Sequence, residues 1–109
     1  MPGGRHFDAA RYRDDPKAIA EYLNEALSTK DPYLVTRAIG TMVRSQGMTR
    51  FSRKAGMPRD TLYRMFTGEV SPAFETVLQL LMALDIDLIA KPVPPVPQAA
   101  AQPKAQTNP

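Results

Sequence analysis

Three times before residue 90 a residue suited to capping stands directly before a proline: Asp15-Pro16, Asp31-Pro32 and Ser71-Pro72. A short oxygen-bearing side chain can accept one of the backbone N–H groups that a helix start leaves orphaned. Proline, with fixed φ and no N–H, fits the first helical position. Each pair is followed by apolar residues at helical period. After the first come Ile19, Tyr22, Leu23, Ala26 and Leu27, ending at about Lys30. After the second come Val35, Ala38, Ile39, Met42 and Val43, closed by Gly47. After the third, Phe74, Val77, Leu78, Leu81 and Leu84 form the expected core stripe, and Leu80 and Met82 widen it. Burying that extra Leu and Met is worth roughly 1.5–3 kcal/mol each, so a second apolar contact competes with plain burial as their explanation. Asp14, Asp15 and Asp31 read as helix caps rather than as paired catalytic carboxylates.

Between the second and third stripes lies TRFSRKAGMPRDTLYRMFTG, residues 49–68. It reads as two short helices around a corner. Thr49 is the expected cap of the first, and Phe51 and Ala55 are its buried pair. Gly56 ends it, since glycine readily takes the left-handed conformation of a helix C-terminus. Pro58 opens the second helix, which buries Leu62, Met65 and Phe66 at i, i+3, i+4. Arg59, Asp60, Tyr63, Arg64 and Thr67 are left outside. A short helix pinned by its apolar side, with arginines and a tyrosine outward, is the physical description of a recognition helix.

Charge supports the same reading. Arg44, Arg50, Arg53, Lys54, Arg59 and Arg64 face only Asp60 in their segment, a local +5 in a chain of net +3. Basicity confined to one stretch suits phosphate binding. Arg59 and Arg64 are the candidates for base readout, because a guanidinium bonds bidentately to guanine O6 and N7. Asp60 is placed to accept from a cytosine amino group or to complement the helix N-terminus. Tyr63 is assigned to a phosphate or a thymine methyl. Thr49, Arg50, Lys54 and Thr61 are expected to hold phosphates, which position the protein without reading sequence. For each charged residue the plain alternative is a solvated face.

The spacing resembles the helix-turn-helix of phage-repressor-like regulators. More closely, GMTRFSRKAGMPRDTLYRMF with SPAFETVLQLLMALDIDL, and FDAARYRDDPKAIAEYLNEAL upstream, resembles HigA-like antitoxins of bacterial addiction modules over about residues 7–90. The resemblance implies a cytoplasmic protein that binds a small cognate toxin, usually RelE/ParE-like, and represses its own operon as a dimer on double-stranded operator DNA. Three positions depart from the motif. Ser52 stands where alanine is usual, its hydroxyl expected to bond a carbonyl one turn earlier. Arg50 stands where glutamine is common. Pro58 replaces a serine cap, leaving one N–H without a side-chain partner. Two other readings are a stand-alone regulator without a toxin, and an adaptor that binds only protein.

The fold expected is all-α: a five-helix helix-turn-helix domain of phage-repressor type over residues 7–90, with a short C-terminal strand. The strand is Ile86-Asp87-Leu88-Ile89-Ala90, which alternates in part and is rich in β-formers. It needs an edge to pair with: its own copy in a symmetry mate, the Phe7-Asp8-Ala9 segment, or a bound partner's sheet. Residues 1–6 and the Pro/Ala/Gln-rich tail 91–109 are expected to be disordered. Prolines 92, 94, 95 and 97 give the tail polyproline character, as spacer or as ligand for a peptide-binding domain. With no cysteine and His6 alone, no metal site is expected. No cofactor is expected, and no nucleophile–base set or glycine-rich phosphate loop points to an enzyme. No run is apolar and long enough to span a bilayer.

Overall fold

The computed structural model describes residues 8–95. After a 3-10 turn at Ala9–Arg11 come α1 (Pro16–Ser28), α2 (Pro32–Gln46), α3 (Met48–Ala55), α4 (Arg59–Phe66) and α5 (Phe74–Ala83). The described residues are all-helical and contain no strand. Helix α2 is the hub, packing against each of the other four. Its buried residues Ile39, Met42 and Val43 meet Ile19 and Leu23 of α1, Phe51 of α3, Leu62 and Phe66 of α4, and Leu80 and Leu84 in one core.

Two of the proline-linked starts form as their chemistry requires. The Asp15 carboxylate accepts from the Ala18 amide at 3.2 Å, and Asp31 accepts from the Tyr33 amide at 2.9 Å. Asp14 is no cap. It sits at φ 57, its amide donates to Gln46 Oε1 at 3.1 Å, and its carboxylate faces Arg50. Gln46 also donates to the Tyr12 carbonyl, so the entry to α1 is tied to the end of α2.

Helix α5 differs from expectation in start and in rotation. Ser71-Pro72 does not open it; Ala73 is still extended (φ −68, ψ 158), and the helix begins at Phe74 without a side-chain cap. Leu80, expected as surplus, is fully buried beside Leu81 and Leu84, whereas Phe74 and Leu78, expected inside, are exposed together with Met82. The orientation follows from the packing of α5 on α2 and α3, where Gln79 Nε2 donates to the Ala55 carbonyl at 3.0 Å.

The expected strand at residues 86–90 is not formed; the segment leaves α5 in no regular element. A lone strand leaves its backbone groups unpaired, and the described residues offer no edge to receive it. Asp8 caps the 3-10 turn at Ala9, so that segment is not the missing edge. Residues Lys91–Pro95 are exposed. The expectations for residues 1–6, for Phe7 and for the tail beyond Pro95 lie outside the described residues.

Candidate nucleic-acid interface

The corner between α3 and α4 is fixed by one carbonyl and one hydroxyl. Gly56, at φ 72 and ψ 30, ends α3 in the left-handed conformation. Its amide and that of Met57 both donate to the Ser52 carbonyl, at 2.9 and 3.1 Å. The Ser52 hydroxyl, expected to bond backward, instead donates forward to the Met57 carbonyl and closes the corner from the other side. Forward bonding wins because the turn brings an accepting carbonyl beside the hydroxyl that the α3 ladder does not use. Gly56→Ala should therefore cost about 1 kcal/mol, since a Cβ there meets open space and only the left-handed backbone opposes it. Urea unfolding measures this; an unchanged midpoint would show that the corner tolerates another geometry.

Thr49 is not the cap of α3. The helix starts at Met48 with Gly47 preceding it, so Thr49 lies one residue inside. Its hydroxyl accepts from Arg59 Nη1 at 3.3 Å, a bridge from the first turn of α3 to the first turn of α4. Helix α4 begins at Arg59 behind Pro58 and has no side-chain cap, as the missing serine implied. Asp60 in its first turn complements the free amides there.

Leu62, Met65 and Phe66 are buried, which turns Asp60, Tyr63 and Arg64 to solvent on the opposite side of α4. Tyr63 is 40% exposed. Arg64 Nη1 lies 3.6 Å from Asp60 Oδ2 across one helical turn. Such an exposed pair holds the guanidinium weakly, so a competing phosphate or base edge can take it. Arg59 and Thr61 flank this face, and both are exposed. Behind it, the Arg44 guanidinium sits 6.0 Å over the Phe66 ring.

Arg50 and Lys54 are placed apart from this group. Arg50 Nη2 is 2.8 Å from Asp14 Oδ1, and Lys54 Nζ is 3.2 Å from Asp85 Oδ2. Both occupy the flank of α3 that meets the start of α1 and the end of α5. Arg53, one of the basic residues of this segment to which the sequence assigns no role, shares the Thr49 face of α3 at i, i+4 and is exposed. That spacing from Thr49 was the available signal. Among the described residues no three His, Cys, Asp or Glu side chains gather closely enough to hold a metal ion, and no helix is long and apolar enough to cross a membrane.

A family profile described as "probable addiction module antidote protein" matches residues 4–92. A Haemophilus influenzae protein, described only as uncharacterized, is 33% identical over 82 residues, which is 75% of this chain and 84% of that protein. No solved structure matches the chain significantly. With a profile running from before the 3-10 turn to beyond α5, this chain belongs to the addiction module antidote family.

Proposed function

We propose that this antidote neutralises a small RelE/ParE-like toxin and, as a homodimer in the cytoplasm, represses its own operon through an α3–α4 helix-turn-helix of HigA-like, phage-repressor type. The observation that carries the DNA-binding half is the outward face of α4. Asp60, Tyr63 and Arg64 share it, backed by three buried side chains, within a segment of local charge +5. In this reading α4 enters the major groove. Arg59 and Arg64 read guanine edges. Tyr63 meets a phosphate or thymine methyl, and Asp60 orients Arg64 or accepts from cytosine. Thr49, Thr61 and Arg53 hold phosphates beside the groove. Arg50 and Lys54 reach the backbone only by leaving Asp14 and Asp85, so their contribution rises where phosphate density exceeds what one carboxylate supplies. A two-fold dimer would set two α4 helices ~34 Å apart, matching half-sites one DNA turn apart.

The test is titration of DNA from upstream of the chain's own reading frame, over a range of salt. Arg59→Ala should cost about 1–3 kcal/mol and relax preference at one base pair, while Arg53→Ala should weaken every sequence alike and reduce the salt slope by about one. Lys54→Ala should behave like Arg53→Ala with a smaller effect, because its ion pair already competes. Equal, sequence-blind losses for all three would remove base readout from the proposal. Failure of the unmodified protein to shift that DNA would remove the repressor reading.

A further inference from the structure

The surface of α5 and the segment after it combines two properties that point to one kind of partner. Phe74, Leu78 and Met82 recur at i, i+4, i+8 and are 66, 37 and 72% exposed, an apolar stripe along the outer side of the helix. Leu88 and Ile89, at 44 and 80%, add further exposed apolar surface. Exposed large side chains aligned in this way mark an interaction surface rather than scattered exposure.

Charge is the second property. Residues 69–90 carry Glu69, Glu75, Asp85 and Asp87 and not one lysine or arginine, while residues 44–64 carry +5. Asp85 is engaged by Lys54; the other three acids are exposed and have no ion pair among the described residues. Self-pairing of this face would set like charges against each other, which is destabilising. A partner with an apolar patch rimmed by lysines and arginines meets these acids favourably, with Lys30 and Arg37 of the α1–α2 side bordering only the groove beside Phe74 and Leu88.

The backbone adds a third element. The Ile86 amide donates to the Leu81 carbonyl at 2.9 Å, but residues 87–90 make no backbone hydrogen bond among the described residues. A segment outside any regular element, with free N–H and C=O groups, can add itself to the edge of a partner's sheet.

We propose that the cognate toxin docks here, its basic-rimmed apolar surface laid on Phe74, Leu78 and Met82 and its sheet extended by residues 87–90. The acidic character of this surface contrasts with the basic segment that carries α4. This rests on the reading of the chain as a toxin-binding antidote, and assigns the surface and the partner's chemistry.

The probe is the toxin encoded beside this chain's reading frame, purified and titrated calorimetrically with the full chain. Phe74→Ala/Met82→Ala should weaken binding by roughly 30-fold or more, as expected for central apolar anchors. Glu75→Lys/Asp87→Lys should weaken it further at ~0.1 M salt than at ~0.5 M, because only the less screened condition lets the reversed charges act at range. Both variants should keep the thermal unfolding, the DNA binding and the solution mass of the unmodified chain, since the altered side chains are exposed. If the double alanine variant binds toxin as tightly as the unmodified chain, the docking surface is refuted and the antidote reading stands. If that variant alone turns a dimer into a monomer, the face belongs to a second copy and the proposal is overturned in its favour. If the unmodified chain does not bind the toxin at all, both this proposal and the antidote reading fall.

Discussion

Phe51→Ala is expected to lower the unfolding free energy by about 3–5 kcal/mol. Phe51 is 2% exposed and stands in the core between α3 and its neighbours. Phe51 is the larger of the two buried residues that this eight-residue helix contributes, the other being Ala55. Two effects add: the lost transfer free energy of the ring, and the cavity that partial relaxation leaves behind. In a small domain whose whole stability is of order 5–15 kcal/mol, that is a large share. At about 4–8 °C per kcal/mol the melting temperature should drop by more than ~10 °C. Calorimetry or thermal circular dichroism reads this out. A fall under ~3 °C would mean that the core closes over the gap and that α3 is held mainly by its polar ties.

Gly40→Ala is the second large expected effect, and its direction opposes helix propensity. Alanine in mid-helix is usually favoured over glycine by about 0.5–1 kcal/mol. Here a Cβ would stand 2.7 Å from Phe66 Cγ and 2.9 Å from Phe66 Cβ. The atoms in the way lie at the root of the Phe66 side chain, so a rotamer change cannot clear them and α4 itself must move. Overpacking of this kind costs about 1–3 kcal/mol, which exceeds the propensity gain. Because α4 carries the outward face of Asp60, Tyr63 and Arg64, the proposed DNA-binding role requires that DNA affinity fall by more than the folded fraction explains. Urea unfolding and gel shift on the same protein separate the two losses. A variant as stable as the parent would show that α2 and α4 can part without cost.

Much of this fold is legible in the chain, and the parts that are not have physical reasons. The starts of α1 and α2 follow from local chemistry, since Asp15 and Asp31 each bond an amide two or three residues on. The corner is equally local: Gly56, Pro58 and the triplet Leu62, Met65, Phe66 settle it. Helix α5 was harder because six of its ten residues are large and apolar, so the period alone does not choose a face. Contact with α2 and α3 chose it, and put Leu80 inside and Phe74 outside. The same limit applies at the candidate site. That Arg59, Asp60, Tyr63, Arg64 and Thr67 are exposed followed from the stripe. That Arg50 and Lys54 find Asp14 and Asp85 did not, because those partners lie 36 and 31 residues away along the chain. The segment 86–90 has strand-forming composition, yet composition supplies no neighbour to pair with.

The brevity of α3 and α4, eight residues each, has a bearing on how an antidote is withdrawn. Isolated helices shorter than about 12–15 residues are marginal in water. Neither would outlive the scaffold that α2 provides. Severing the chain within the bundle would therefore leave no α3–α4 fragment that keeps its outward face, so on the proposed reading DNA binding would be lost with the fold.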